Sequence, residues 1–266
     1  MNIRTKGIVF LLVCGLILGL FTAALGDGLE EARHRGMLRV GIKTDFAPFG
    51  FTDPSGQIQG FDVDLARYLA RVLFDDEQAL ELVPVTSGSR IPLLYSESVD
   101  LLIAAMNVTE DRQRVLDFTE AYLMTGSALL TLKQSPIHGV QELADRRVAV
   151  VSGAVQEKDL PLIAPLAKLV SFNTLTEALN ALRGKQVDAL CQDDIVLLKE
   201  AAKDSSLRVA GNPFIPRPYA MAVRKGDDTF LKWLNLQIDK MKRDGTLRQL
   251  RQKYFEGMED KLLPQP

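Results

Sequence analysis

The sequence predicts a two-lobed α/β fold, each lobe a mostly parallel sheet flanked by helices. Three observations point there. Short apolar runs alternate with longer segments of helical periodicity, the pattern of sheets covered by crossover helices. The alternation restarts near residue 133. No Gly/Ser or Pro tract separates the halves, so strands rather than a floppy tether join them, an arrangement suited to hinge closure.

In the first half Leu38–Ile42 reads as a strand. Residues 62–74 read as a helix because Leu65, Tyr68, Leu69, Val72 and Leu73 share one face at helical spacing. Residues 80–85 alternate like a half-buried strand. The apolar run at 99–105 suits a strand buried on both faces. Thr109 is placed to cap a short helix over 109–116, and 128–132 is a further strand. In the second half, strands are expected at 147–151, 169–172, 187–191, 207–210 and 219–223. Helices are expected from Gln156, over 174–183 behind the capping-box pattern Thr174-x-x-Glu177, over 195–202, and over 228–255 with a break at Asp244-Gly245.

The 266-residue chain is 47% hydrophobic and 25% charged. That balance supports a real core and excludes a disordered chain. A net charge of −2 without a basic stripe argues against a nucleic-acid partner. Residues 1–26 stand apart: Arg4 and Lys6 precede an apolar run at 8–25, and Ala24 and Gly26 are small residues before a cleavage point at Asp27. This is the anatomy of a secretory signal peptide; an uncleaved N-terminal anchor is the alternative. Cleavage removes two of the 32 basic residues and none of the 34 acidic ones, leaving a net charge of −4. It also removes Cys14, so Cys191 is left without a disulfide partner and reads as a small buried strand residue. No later stretch is apolar enough to span a bilayer, so no stable membrane insertion is expected after cleavage.

Eight stretches occur in order along residues 36–257: LRVGIKTDFAPFGF, GFDVDLARYLARVL, PVTSGSRIPLL, VDLLIAAMNVTEDRQRVLDFTEAY, RVAVVSGAVQE, VDALCQDD, YAMAVRKGD and DGTLRQLRQKYF. Together they resemble the amino-acid-binding family of periplasmic solute-binding proteins, the receptors of ABC importers, and within it the glutamate/aspartate type. The resemblance implies a periplasmic-binding-protein fold with ligand in the inter-lobe cleft. One lobe is expected from 27–130 plus 221–266, the other from 131–220. It also implies a periplasmic monomer without catalytic activity, metal or cofactor, whose partners are a small amino acid and an ABC permease.

The same resemblance assigns the ligand contacts. Arg112, in NVTEDR, grips the α-carboxylate. The physics agrees, since a guanidinium in a first helical turn, beside free backbone N–H groups, makes a carboxylate site. Asp193, after an apolar strand, receives the α-ammonium, which needs an anionic partner when buried; Asp194 is the better N-cap candidate for the next helix. Phe46 packs on the ligand's aliphatic part. Gly153 opens the first helix of the second lobe with backbone N–H groups facing the α-carboxylate, and Val155 and Gln156 belong to the same turn. Relatives carry hydroxyls where this chain has Ala154 and Val155, so a direct hydroxyl contact is lost. Ala105 and Asn107 likewise replace small hydroxyl residues, leaving the Ala105 carbonyl and the Asn107 side chain to bond the ligand. Ser87 and Arg90 come from TSGSRIPLL, which looks like the corresponding segment of glutamate/aspartate receptors. Those receptors also have a basic residue at the Lys43 position. Lys43, Arg90 and Arg112 against Asp193 leave surplus positive charge that a dicarboxylic amino acid complements. Solvated rim charge, or pairing with acidic side chains, is the alternative for Lys43 and Arg90.

Two other functions compete. A dehydratase-like enzyme on this scaffold needs a positioned general acid; His34 and His138 fall outside the expected cleft, and Glu157 is the remaining candidate. A periplasmic accessory protein of the same fold would bind another small carboxylate.

Overall fold

The computed structural model describes residues 27–258 and 263–265. The signal-peptide reading of residues 1–26 lies outside them. In chain order the first lobe contains α1 (Gly28–Arg35), β1 (Leu38–Ile42), β2 (Asp45–Phe46), β3 (Gly50–Thr52), β4 (Ile58–Gln59), α2 (Phe61–Phe74), β5 (Leu80–Pro84), α3 (Arg90–Tyr95), β6 (Leu101–Leu102), α4 (Glu110–Gln113) and β7 (Leu116–Phe118). The second lobe follows with β8 (Leu123–Leu132), β9 (Arg147–Val151), α5 (Gln156–Ile163), β10 (Lys168–Phe172), α6 (Leu175–Arg183), β11 (Ala189–Asp193), α7 (Asp194–Lys203) and β12 (Leu207–Tyr219). The chain then returns through β13 (Ala222–Arg224), α8 (Asp228–Arg243) and α9 (Thr246–Phe255).

Each lobe is built on a five-stranded sheet, ordered β5-β1-β6-β13-β7 in the first and β10-β9-β11-β8-β12 in the second. The parallel pairings expected from βα alternation are β5 and β6 on β1, and β10 and β11 on β9. The remaining pairings are antiparallel, so both sheets are mixed. The reason is topological: β8 and β13 enter their sheets from the other lobe, not from a crossover helix on the same sheet. A small antiparallel sheet, β2-β3-β4, stands beside the first.

The two sheets part at residues 119–122 and again at 220–221. There the connecting segments are bonded to each other: Thr119 N–H donates to the Met221 carbonyl and Tyr122 N–H to the Tyr219 carbonyl, both at 3.0 Å. The lobe boundary expected at residues 130/131 lies inside β8, which pairs with the second sheet from Leu123 to Leu132. The restart of the alternation near residue 133 suggested that boundary, yet the buried run before it is one uninterrupted strand.

Local signals explain most element ends. Thr109 Oγ1 accepts from Arg112 N–H at 3.3 Å, capping α4. Thr174 and Glu177 complete the capping box on α6. Gly245, at φ 83°, separates α8 from α9. On α2 the apolar face is buried at Leu65, Ala66 and Leu69, but Val72, expected on that face, is 39% exposed. The strand expected over 99–105 keeps only Leu101–Leu102 in the ladder. Ala105 turns out of it at φ 47°, a left-handed conformation that costs a non-glycine residue about 1–2 kcal/mol. Cys191 is a buried strand residue, and burial pushes its thiol pKa up. No helix among the described residues is long and apolar enough to cross a membrane.

Candidate functional site

The ends of β1, β6 and β11 and the starts of α3, α4 and α5 meet between the lobes. The residues expected to hold ligand gather there. Lys43, Phe46, Ser87, Arg90, Ala105, Asn107, Arg112, Val155, Gln156 and Asp193 are all buried, and Gly153 sits among them.

The basic residues are the unusual part. Lys43 is 4% exposed, its Nζ 3.8 Å from the Phe46 ring centroid. Burial first, and then the neighbouring Arg90 charge, bring its pKa down to about 7. Arg90, first residue of α3, donates from Nη1 to the Ala104 carbonyl at 2.8 Å, while its Nε lacks a partner among the described residues. Its pKa is lowered to about 9 by burial and by Arg112. Arg112 donates from Nη1 to the Asn107 carbonyl at 2.7 Å and from Nη2 to the Gly153 carbonyl at 3.0 Å. The second bond crosses from one lobe to the other. None of these cations is ion-paired among the described residues.

The acidic side is Asp193 and a residue that sequence reasoning passed over, Asp62. Asp193 accepts from Tyr219 Oη at 2.5 Å and from Gln156 Nε2 at 3.0 Å, and burial raises its pKa. Asp62, fully buried in the first turn of α2, accepts from Ala105 N–H at 2.7 Å and from Tyr122 Oη at 3.1 Å. Burial drives its pKa up to about 7, against the pull of those bonds and of Lys43 and Arg90. Its signal was present: Asp62 precedes Leu65 by three and Leu69 by seven, an acid on an apolar helix face. Tyr219 gave no comparable signal.

Two expectations need correcting. Asp193, not Asp194, is the N-cap residue of α7, because its extended backbone (ψ 135°) finishes β11. Asp194 is the first helical residue, held by Thr125 Oγ1 at 2.6 Å and Ile195 N–H at 2.8 Å. The Gly153 N–H, expected to face a ligand carboxylate, is taken by Glu157 Oε2 at 3.0 Å. That leaves the first-turn N–H groups of α5, which no side chain caps. A cavity of about 850 Å³ opens beside the cluster, reaching Arg112, Gly153 and Val155 but not Lys43, Arg90 or Asp193. The charged cluster itself is closely packed between the lobes.

This arrangement can hold a zwitterion: a guanidinium on one lobe, a buried carboxylate at a strand end on the other, and backbone donors between. The sequence pattern of the bacterial extracellular solute-binding proteins, family 3, matches residues 38–257. The chain belongs to that family. The glutamine-binding protein GlnH of Bacillus subtilis is 34% identical over 86% of this chain and 85% of its own length. The glutamate-binding protein GluB of Corynebacterium glutamicum is 27% identical over 85% of this chain and 80% of its own. The solved L-cysteine receptor of Neisseria gonorrhoeae superposes with a TM-score of 0.85 at 30% identity, covering 89% of this chain and 97% of that one. All three are described as solute receptors or binding proteins, but for different solutes. The glutamate/aspartate type expected from TSGSRIPLL and Lys43 therefore does not follow from kinship.

Proposed function

We propose that this solute-binding protein captures a polar α-amino acid outside the cytoplasm, acidic ones in preference, and delivers it to an ABC permease. Residues 1–26, read as a signal peptide, would export it. Arg112 takes the α-carboxylate and Asp193 the α-ammonium, with Phe46 against the aliphatic stem. The preference for an acidic side chain is carried by one observation, the charge balance of the buried cluster. Lys43, Arg90 and Arg112 face Asp62 and Asp193, which leaves one positive charge in surplus. The surplus is the same whether Lys43 and Asp62 are both charged or have exchanged a proton. Asp45 also lies near Lys43 and its charge acts on it, but Asp45 stands outside the buried cluster, only half-buried, where solvent screens its charge. Glutamate and aspartate bring the missing negative charge; a cationic ligand adds like charge at a cost of several kcal/mol.

Glutamine is the second reading, favoured by the 34% identity to GlnH. A calorimetric panel of glutamate, aspartate, glutamine, cystine and arginine separates the two. Glutamate or aspartate is expected to bind tighter than glutamine by about 1.5–3 kcal/mol, or roughly 10- to 150-fold. Glutamine binding tighter than both establishes the second reading, and tightest binding of arginine ends the acidic one.

A further inference from the structure

We propose that Asp45 is a closure latch, a first-lobe carboxylate that grips the N-terminus of second-lobe helix α6 and sets how readily the lobes close. The inference rests on the reading that this protein captures its ligand by closing.

Asp45 opens β2, two positions after Lys43. Its Oδ2 accepts from Leu175 N–H at 2.9 Å and Thr176 N–H at 3.4 Å. Helix α6 already carries its own cap: Thr174 Oγ1 accepts from Glu177 N–H at 3.2 Å, and Glu177 Oε2 accepts from Thr174 N–H at 3.2 Å. A capping box of this kind leaves the N–H groups of the two intervening residues unpaired. Those are the two that Asp45 takes, from 130 and 131 residues away in the chain. The carboxylate also meets the positive end of the helix dipole.

The other polar contacts across the cleft are of different kinds. The Arg112 bond to the Gly153 carbonyl belongs to the ligand site. The Lys158–Asp111 pair, at 2.9 Å, is exposed on both sides and adds little. Asp45 is half-buried, lies outside the ligand-contacting set and bonds to backbone that cannot move away without opening the lobes. Its charge also favours the protonated form of Lys43. A change at Asp45 therefore has two separable routes of action, through closure and through Lys43.

Apparent affinity scales with the population able to close. Removing a helix-capping carboxylate should therefore weaken binding by roughly two- to thirtyfold. The test uses Asp45→Ala and Asp45→Asn in a protein with spin labels at the exposed positions Arg71→Cys and Lys185→Cys. In the ligand-free protein, Asp45→Ala is expected to shift the label distances toward longer values, and Asp45→Asn, which keeps an acceptor, to shift them less. In calorimetry glutamate and glutamine should lose affinity by the same factor, and the loss should persist in a Lys43→Met background. Unchanged ligand-free distances overturn the latch. So does an affinity loss confined to glutamate or abolished by Lys43→Met, which makes Asp45 only an electrostatic neighbour of Lys43. If no amino acid in the panel binds wild type, the capture reading fails, and the ligand-free distances still decide on Asp45.

Discussion

Lys43 holds its ammonium over the Phe46 ring, and Asp62 lies fully buried in the first turn of α2, both with pKa values brought to about 7 from opposite directions. A ligand carboxylate entering beside Lys43 favours the protonated ammonium and opposes ionisation of Asp62. Both effects draw protons in. Glutamate binding should therefore take up protons near pH 7, and its affinity should fall as pH rises through that value. Each unit of upward pKa shift on binding is worth up to about tenfold. Glutamine brings no charge and should depend on pH less. Calorimetry at pH 6 and 8, in buffers of different ionisation enthalpy, reads both the affinity and the protons; flat or rising glutamate affinity contradicts the account. At this scale the sequence was partly legible. Lys43, Arg90, Arg112 and Asp193 are charged residues at strand ends and helix starts, where side chains reach a cleft. The roles of Asp45 and Tyr219 depend on partners far along the chain, 130 residues off for Leu175 and 26 for Asp193, and no local spacing encodes them.

Gly153, at the entry to α5, shows how elements fit across the cleft. Its φ is +76°, and a Cβ there would stand 2.8 Å from Gly88 Cα and from the Ser87 carbonyl oxygen. Both neighbours belong to the other lobe, so the clash arises only when the lobes meet. Gly153→Ala should cost roughly 1–2 kcal/mol of fold stability from the left-handed backbone alone, read as a modest drop in melting temperature. Ligand affinity should fall further than that strain explains, by at least about tenfold, since closure itself is obstructed. Wild-type affinity in a folded Gly153→Ala protein would show that closure does not bring these backbones together. Capping and periodicity are enough to locate α2, α4 and α6 in the sequence, because Thr109, Thr174 and the Leu65–Leu69 face are local signals. The extent of β8 was not, since pairing with β11 and β12, not composition, carries that strand back to Leu123.

At the largest scale the described residues form two mixed five-stranded sheets, with a small antiparallel one beside the first, and crossings bonded to each other at residues 119–122 and 220–221; surplus positive charge is enclosed between the lobes. Alternating strands and helices made the two lobes legible. The antiparallel half of each sheet was not, because it comes from strands that change lobes. The contacts of Arg112 with Gly153, Asp45 with α6, and Lys158 with Asp111 describe the closed arrangement. A receptor that works by closing must also populate an open one, because ligand has to reach the buried Lys43, Arg90 and Asp193. Small-angle X-ray scattering of the purified protein, with and without saturating glutamate, tests this most directly. The account predicts a smaller radius of gyration in the bound sample and a bound curve that matches the closed arrangement. Superimposable curves, with saturation verified by calorimetry, would contradict it.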